Sequence, residues 1–274
     1  MTKTTLAHSL KSAQSQLTDS STPYLDACIL LSFASDKPQH WLLANSSAPV
    51  ENLFDNKVIS LFHDLINQRA SGIPVAYIVG RKEFYGIDLF VTEDVLIPRP
   101  ESEIIVDEVI DRAPRNSRLL DMGTGTGALA IAINAHRPDI EVHACDNSSL
   151  ALEVAKKNID YRQANINILK SDLFSSYSSQ SFDTVIANLP YLPDSYLSKP
   201  DLQYEPTNAL NGGKDGLDIY RRFFAQAKNA DNPTILTEHL PSQKDSMQSI
   251  AADNGFILDK SLSELCSVYT SSLK

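Results

Sequence analysis

The feature that most constrains this chain is an alternation of short apolar strands with amphipathic helices, repeated from Pro114 onward. The pattern predicts seven strands, at residues 118–121, 140–146, 166–170, 182–188, 234–238, 256–259 and 265–269. It also predicts helices at residues 127–136, 149–159, 217–229 and 242–254. Because strands that alternate with helices usually form a parallel sheet covered on both faces, we expect an α/β fold with a doubly wound, Rossmann-like sheet.

The first third of the chain has a different pattern. Apolar residues recur at helical spacing between residues 6 and 72, as in Leu25, Ile29 and Phe33, which predicts a small helical bundle. Residues 75–91 are rich in β-branched and aromatic side chains and are interrupted by two glycines, which predicts a hairpin. The predicted organisation is a helical domain over residues 1–73, a hairpin linker over 74–93 and the α/β domain over 94–274.

Composition limits the classes of function. The net charge is −10 with a pI of about 5.0, whereas proteins that grip nucleic acid through phosphates usually have a basic face. No stretch approaches the roughly 18 consecutive apolar residues that a membrane span needs. The three cysteines are far apart, and neither a disulfide nor a metal site is indicated. We therefore expect a cytoplasmic monomer that contacts neither membrane nor nucleic acid.

A glycine-rich segment, Asp121–Gly127 (DMGTGTG), follows the first strand of the sheet and opens a helix. Glycines there let the backbone approach a ligand at a helix N-terminus, where N–H groups are unpaired. Asp146 ends the next strand, 23 residues after Gly123, where a carboxylate can accept hydrogen bonds from ribose hydroxyls. A tight turn with a capping aspartate would explain each residue alone, but their common register favours a nucleoside-binding site.

Two cofactors fit this loop. Gly123, Gly125 and Ala128 satisfy the dinucleotide fingerprint, so a nicotinamide oxidoreductase is one alternative. The loop also resembles the methyltransferase form, with Asp121 two residues before the first glycine, which favours S-adenosylmethionine. An inactive binding module with the same fold is disfavoured because Asp121, Asp146 and Asn188 are all present.

The second informative segment, residues 182–191 (FDTVIANLPY), is an apolar strand that ends in a polar, proline-stiffened corner. In a doubly wound sheet, ligands bind at this carboxyl edge of the strands. Asparagine and proline are common turn residues, but a simple turn does not explain Tyr191 directly after Pro190.

The corner suits methylation of a nitrogen whose lone pair is delocalised. An NH₂ group offers two donors, which the Asn188 side-chain carbonyl and the Leu189 backbone carbonyl could accept. Fixing both hydrogens would orient the lone pair toward the methyl donor, which is catalysis by positioning. Tyr191 could lie against the flat face of the substrate group.

The corner is similar to the (N/D/S)-(P/L)-P-(Y/F/W) motif of methyltransferases that act on amide or exocyclic amino nitrogens. Beyond it, the chain resembles the peptide chain release factor glutamine methyltransferases at residues 75–86 (VAYIVGRKEFYG), 95–103 (VLIPRPESE), 120–127 (LDMGTGTG) and 205–218 (EPTNALNGGKDGLD). The resemblance implies an N-terminal helical domain that recognises the substrate, a hairpin linker and a seven-stranded S-adenosylmethionine-dependent methyltransferase domain. The implied reaction is N5-methylation of the glutamine in the Gly-Gly-Gln motif of class I release factors.

The resemblance also assigns roles to individual residues. Those expected to bind the cofactor are Asp121, Gly123, Thr124, Gly125, Thr126, Gly127, Asp146 (on the ribose), Asp172 and Leu173 (flanking the adenine), and Asn188. Those expected to bind substrate and act in catalysis are Asn188, Leu189, Pro190 and Tyr191. Arg99 and Glu101 are expected to help close the substrate site, and a structural ion pair is the alternative for these two.

Three positions depart from the family pattern. Leu189 stands where proline is usual, and adenine dimethyltransferases of ribosomal RNA have the same Asn-Leu-Pro-Tyr. Residues 237–243 (TEHLPSQ) keep a glutamate and a glutamine but lack a glycine, and residues 263–270 lack an arginine. The alternative substrates are a glutamine of a ribosomal protein, or an amino group of rRNA or DNA.

Overall fold

A computed structural model describes residues 4–177, 180–199, 202–228 and 233–272. The chain divides into two units, one that ends at Gly80 and one that begins at Arg81. In the part of the chain that the structure describes, none of the helices has the length and apolar character that crossing a membrane requires.

The first unit is helical because its apolar residues recur every three or four positions. In its longest helix, Phe62, Leu65 and Ile66 are buried on one face. The unit also buries Asp26, whose charge is compensated by an ion pair with Arg69 at 2.7 Å. The helices are α1 (Leu6–Gln16), α2 (Pro23–Ser35), α3 (Gln39–Ala44), α4 (Val50–Leu53), α5 (Asn56–Ala70) and α6 (Val75–Val79). The prediction of a helical N-terminal region is confirmed.

The hairpin occupies only the second half of the run in which it was predicted. Residues 75–79 form α6, which begins after Pro74 and ends at Gly80 in the left-handed conformation (φ 69°). Strands β1 (Arg81–Phe84) and β2 (Ile87–Phe90) then pair antiparallel. The prediction of a strand at residues 75–79 was wrong because helix-start and helix-stop residues on either side outweighed the β propensity of valine and isoleucine.

The hairpin belongs to the second unit rather than to a separate linker. Its two-residue turn, Tyr85 and Gly86, has positive φ at both positions, which matches the twist of the flanking strands. Phe84 and Leu89 are buried among core residues of the second unit. The observed boundary therefore falls after residue 80, not at residues 73 and 94.

The second unit contains a seven-stranded sheet in the order β5-β4-β3-β6-β7-β9-β8. The first five strands in this order are mutually parallel. This is the predicted fold class, and its strands are β3 (Arg118–Met122), β4 (Glu141–Asp146), β5 (Ile166–Lys170), β6 (Thr184–Ala187), β7 (Thr234–Glu238), β8 (Phe256–Ser261) and β9 (Cys266–Ser271).

Two strands near one edge of the sheet form antiparallel pairs, which the alternation of strands and helices does not indicate. Strand β9 lies between β7 and β8 and pairs antiparallel with both. Only residues 262–265 separate β8 from β9. A parallel neighbour needs a crossover of a dozen or more residues, so such a short connection forces an antiparallel pair.

Helices cover both faces of the sheet, as doubly wound folds require. Alternate residues of a strand point to opposite faces, so in β3 Leu119 joins one core and Leu120 joins the other. Helices α7 (Glu103–Arg112) and α8 (Ala128–His136) pack on the first face, with α9 (Ser149–Arg162) beside them. Helices α11 (Asp218–Ala227) and α12 (Lys244–Asp253) pack on the second, and the short α10 (Thr207–Leu210) precedes them.

Candidate active site

The glycine loop leaves β3 at Met122 and is anchored to the neighbouring strand. The backbone N–H groups of Gly123 and Thr124 both donate to the Cys145 carbonyl at 2.9 Å, and the Gly125 N–H donates to Asp146 Oδ2 at 3.0 Å. Gly125 has φ +54°, and a Cβ built on it would meet nothing within 4 Å. The loop therefore forms a cradle with open space above its backbone.

The two predicted acids of this region lie in different places. Asp146 lines the cavity above the loop, and burial raises the pKa of its carboxyl group. Asp121 is 1% exposed and lies beneath the loop, where it accepts a hydrogen bond from Thr124 Oγ1 at 2.6 Å. Burial raises the pKa of Asp121 to about 7. Asp121 thus supports the loop and does not line the cavity.

The cavity above the loop is a candidate ligand site, because it combines an apolar lining with a small number of polar and charged side chains. All of its described lining residues belong to the second unit. The predicted site residues among them are Arg99, Gly123, Thr124, Gly125, Thr126, Asp146, Asp172, Leu173, Asn188, Leu189 and Pro190. Gly127, Glu101 and Tyr191, like Asp121, are not part of this lining.

One end of the cavity is closed by the segment after β5 and by helix α11. Leu173 has φ 51°, a strained conformation that non-glycine residues adopt mainly where function or packing imposes it. Asp172 forms an ion pair with Arg222 of α11 at 2.5 Å. Both partners line the cavity, so the pair lies at its rim.

At the other end, the Asn188 side chain has a fixed orientation. Its Nδ2 donates to Ser102 Oγ and to Glu238 Oε2, both at 3.1 Å. A carboxylate accepts and does not donate, so the amide nitrogen must face Glu238 and Oδ1 must face away from it. No donor among the described residues is bonded to Asn188 Oδ1.

At Leu189, as at Asn188, the donor is paired within the protein and the acceptor is not. The Leu189 N–H donates to the Tyr220 hydroxyl at 3.3 Å, whereas no donor in the described ranges reaches the Leu189 carbonyl. That hydroxyl also lies 2.8 Å from the Ala187 carbonyl and 2.7 Å from the Glu238 carbonyl, which ties the ends of β6 and β7 together. Both predicted acceptors are therefore available to a ligand.

Tyr191 is held from both of its ends. Its hydroxyl donates to Glu238 Oε1 at 2.8 Å, and its carbonyl accepts from Gln243 Nε2 at 2.7 Å. Burial, followed by the Glu238 charge, raises the pKa of the Tyr191 phenol, so the group stays protonated and continues to donate. Gly216 packs under the same carbonyl, and a Cβ there would lie 2.1 Å from it.

Segment 205–218 supports the corner from the other side. Glu205 is buried, forms an ion pair with Arg99 and accepts from the Ile97 N–H at 3.2 Å. Arg99 therefore has the structural ion pair considered as an alternative, although it also lines the cavity. Glu101 is exposed.

Sequence reasoning missed several residues that the fold brings to the corner at residues 188–191. Ser102, Glu238 and Tyr220 contact the corner but lie up to 136 residues apart in the chain. The sequence features that could have indicated them were the polar residues directly after Pro100 and the glutamate that ends β7. The residues that line the cavity and were not predicted are Phe84, Asp94, Val95, Leu96, Pro98, Ser102, Met122, Ala128, Leu129, Asn147, Ala151, Ser171, Asn208, Ala209, Ile219 and Arg222.

Comparison with known proteins agrees with this geometry. Two family models match the chain, the methyltransferase small domain over residues 100–199 and the PrmC N-terminal domain over residues 8–80. The solved structure of a methyltransferase from Pyrococcus furiosus superposes with a TM-score of 0.53 at 16% identity, covering 75% of this chain and 98% of that one. The match to the methyltransferase small domain, on a chain with this fold, places the protein among the methyltransferases.

Sequence relatives narrow the class. The release factor glutamine methyltransferase of Salmonella typhimurium is 34% identical over 255 residues, which cover 91% of each chain. The enzyme of the same name from Escherichia coli is 35% identical over 238 residues, covering 85% of this chain and 84% of that one. This chain belongs to the release factor glutamine methyltransferase family.

The cavity fits S-adenosylmethionine, the methyl donor of this class. The open cradle over Gly125 can receive the amino-acid portion against backbone, and the half-buried Asp146 carboxylate can accept from ribose hydroxyls. The apolar side chain of Leu173 and the polar Asp172 suit a flat base with an amino group. Bound there, the cofactor supplies an electrophilic methyl group.

Proposed function

We propose that this protein methylates the N5 side-chain nitrogen of the glutamine in the Gly-Gly-Gln motif of class I peptide chain release factors. One observation carries the proposal. Asn188 Oδ1 and the Leu189 carbonyl are both without an internal donor among the described residues, at a cavity that also contains the glycine loop and Asp146. Two acceptors side by side match the two hydrogens of a primary amide.

The residues of the corner act by orientation. An amide nitrogen is a poor nucleophile because its lone pair is delocalised into the carbonyl group. If Asn188 and Leu189 each accept one N–H hydrogen, the nitrogen is held in one orientation and its lone pair faces the cofactor end of the cavity. No strong base is required, because an N-methylated amide cation is acidic and releases its proton to water.

The other site residues have supporting roles in this proposal. The loop Gly123–Gly127 and Asp146 hold the cofactor, and Asp172 and Leu173 flank its adenine. Pro190 and Tyr191 shape the glutamine pocket. Asp121 contributes indirectly, through Thr124.

We also propose that the helical unit recognises the body of the release factor. All described lining residues of the cavity come from the second unit, so the first unit is available for a different task. A cytoplasmic monomer that does not contact nucleic acid directly is consistent with the net charge of −10.

The deciding experiment is mass spectrometry of the Gly-Gly-Gln peptide after incubation of release factor with enzyme and S-adenosylmethionine. We expect one methyl group on the glutamine, and none on a release factor whose glutamine is replaced by asparagine. Parallel reactions with ribosomal proteins and rRNA test the alternatives. Methylation confined to either of them would overturn the proposed substrate.

A further inference from the structure

A buried carboxylate lies directly behind the corner and faces away from the cavity. Glu238 ends β7 and is 1% exposed. It accepts three hydrogen bonds, from Ser102 Oγ at 2.5 Å, from Asn188 Nδ2 at 3.1 Å and from the Tyr191 hydroxyl at 2.8 Å. The proposed function assigns it no role, yet it contacts two of the residues that bind substrate.

Asn188 needs such a partner because its amide can be turned over with little change in shape. With Oδ1 toward the cavity, the side chain accepts a hydrogen from the substrate amide. Turned over, it would present its own N–H groups to the substrate N–H groups. The Asn188 acceptor would be lost, and only the Leu189 carbonyl would remain.

Glu238 opposes this reversal twice. Its Oε2 accepts directly from Asn188 Nδ2. It also accepts the hydroxyl hydrogen of Ser102, which leaves a Ser102 lone pair facing Asn188 Nδ2. Both neighbours of the amide nitrogen are therefore acceptors, and a reversed amide would place Oδ1 against two acceptors.

We propose that Glu238 is a positioning residue that, together with Ser102, fixes the donor and acceptor ends of the Asn188 amide so that the substrate nitrogen meets an acceptor. The inference rests on the proposed methylation of a glutamine amide. It adds a residue that acts through Asn188 and Tyr191 without touching substrate or cofactor.

The proposal can be tested by exchanging the amide of Asn188 and the carboxylate of Glu238. Asn188→Asp places a second carboxylate against Glu238, with no hydrogen between them. Adding Glu238→Gln restores one, because the amide nitrogen of the introduced glutamine can donate to the new carboxylate while its carbonyl oxygen accepts from Tyr191. The double variant then presents an acceptor to the cavity, as the native Asn188 does.

We expect Asn188→Asp alone to lower kcat by about 100-fold or more, and the double variant to recover at least about tenfold of that loss. Glu238→Gln alone should cost about tenfold, because its amide can face either way. Cofactor affinity and thermal unfolding, measured for each variant, identify any loss that comes from misfolding. A double variant no faster than Asn188→Asp would overturn the proposal.

The pH dependence provides a second readout. Two adjacent carboxylates bind a proton more firmly than either alone, and that proton can replace the missing hydrogen. The activity of Asn188→Asp should therefore rise as the pH falls, whereas wild-type activity should fall as Glu238 is protonated. Equal trends in the two enzymes would contradict the mechanism.

The other titratable or charged groups that face Glu238 are Arg99, Glu101, Tyr191, Tyr220 and Cys266.

A serine pair keeps the test informative if Asn188→Asp does not fold. Ser102→Ala should lower kcat several-fold and leave cofactor affinity unchanged, because one of two acceptors for Asn188 is lost. Ser267→Ala is the matched control, since Ser267 is also buried but bonds His239 instead. Equal kcat values for the two variants would overturn the role of Ser102. If the wild-type enzyme does not methylate the Gly-Gly-Gln peptide, it is the proposed function that fails. If the wild-type enzyme is active and the variants miss their expected values, only the positioning role of Glu238 and Ser102 fails.

Discussion

The two ends of the cavity are built in different ways. The cofactor end is centred on one continuous segment, in which β3, the glycine loop and α8 follow each other, with Asp146 and Asp172 contributed at the ends of the next two strands. The substrate end is assembled from separate segments, since Ser102 lies just before α7, Asn188 follows β6 and Glu238 ends β7. Local order builds the first end, and the tertiary fold builds the second.

The difference shows how each end can fail. A continuous segment holds its geometry through backbone hydrogen bonds, such as those that anchor Gly123 and Thr124 to Cys145. The substrate end depends on side chains that satisfy each other, so removing one leaves several buried groups unpaired. We therefore expect larger and less additive effects at the substrate end.

The largest effect should come from Asn188→Ala, which removes the side-chain acceptor. A substrate N–H would be left unpaired, and Glu238 would lose one of its three donors. We expect kcat to fall by at least about 100-fold, or about 2.7 kcal/mol in the barrier. Single-turnover rates on a release factor measure this directly.

The same variant tests whether the two ends are separable. Calorimetry should show that Asn188→Ala changes the affinity for S-adenosylmethionine by less than it changes kcat. Near-normal chemistry with poor cofactor binding would break the comparison, because Asn188 would then belong to the cofactor end.

Asp146→Ala should show the opposite division. Loss of a carboxylate that accepts charge-assisted or ribose hydrogen bonds costs about 1.5–3 kcal/mol of binding free energy. Part of that loss would come from the loop, since Asp146 also accepts from the Gly125 and Ser148 N–H groups. At saturating cofactor, kcat should change little. Unchanged affinity in calorimetry would remove Asp146 from the ribose role.

Much of the fold could be predicted because it follows from local periodicity. Strands β5 and β7 have the predicted bounds, and the other predicted strands and helices of the second unit differ from the observed ones by a few residues at their ends. The differences that remain came from connections. The four residues between β8 and β9 set an antiparallel pair, and Pro74 with Gly80 set a helix where the composition favoured a strand.

The site was predictable to the extent that its residues are contiguous. The glycine loop and the corner at Asn188 could be identified from short motifs next to predicted strands. Glu238 and Ser102 could not be placed beside Asn188, because their proximity depends on how β7 and the segment before α7 meet in the folded protein. Asp121 was placed in the right segment, but burial beneath the loop depends on packing that the motif does not show.

Recognition of the release factor by the helical unit would extend the substrate contacts beyond the cavity. Leu25 and Phe33 on α2 are 49% and 50% exposed, so this helix presents two large apolar side chains, eight residues apart, that a protein partner could cover. If this unit recognises the release factor, Leu25→Lys with Phe33→Lys should raise KM for intact release factor about tenfold, or 1.4 kcal/mol. KM for a short Gly-Gly-Gln peptide and cofactor affinity should not change.

Ile257→Lys is the matched control, since Ile257 is 53% exposed on β8 of the second unit. It should leave KM for release factor unaltered. If the control and the α2 variant behave alike, the helical unit has no special part in recognition, and the cavity alone selects the substrate.

The smallest effect should come from Leu189→Pro, at the least typical residue of the corner. Its carbonyl is the proposed acceptor, so the side chain matters only through packing and through the backbone conformation that it permits. Because Leu189 precedes Pro190, its backbone already disfavours the helical conformation and favours an extended one. Proline would fix φ near −65° and keep the carbonyl in a similar direction.

The cost of the substitution is visible in the structure. Proline has no N–H, so the 3.3 Å hydrogen bond to the Tyr220 hydroxyl would be lost. The ring Cδ would occupy the direction of that hydrogen, so the Tyr220 hydroxyl, which also has two carbonyl neighbours, would have to move. Some packing of the buried leucine near Gly123 would also be lost. None of these changes removes the Leu189 carbonyl, so turnover should stay within about tenfold, or 1.4 kcal/mol. A collapse of the single-turnover rate would mean that the Leu189 side chain, and not its carbonyl, defines the substrate end.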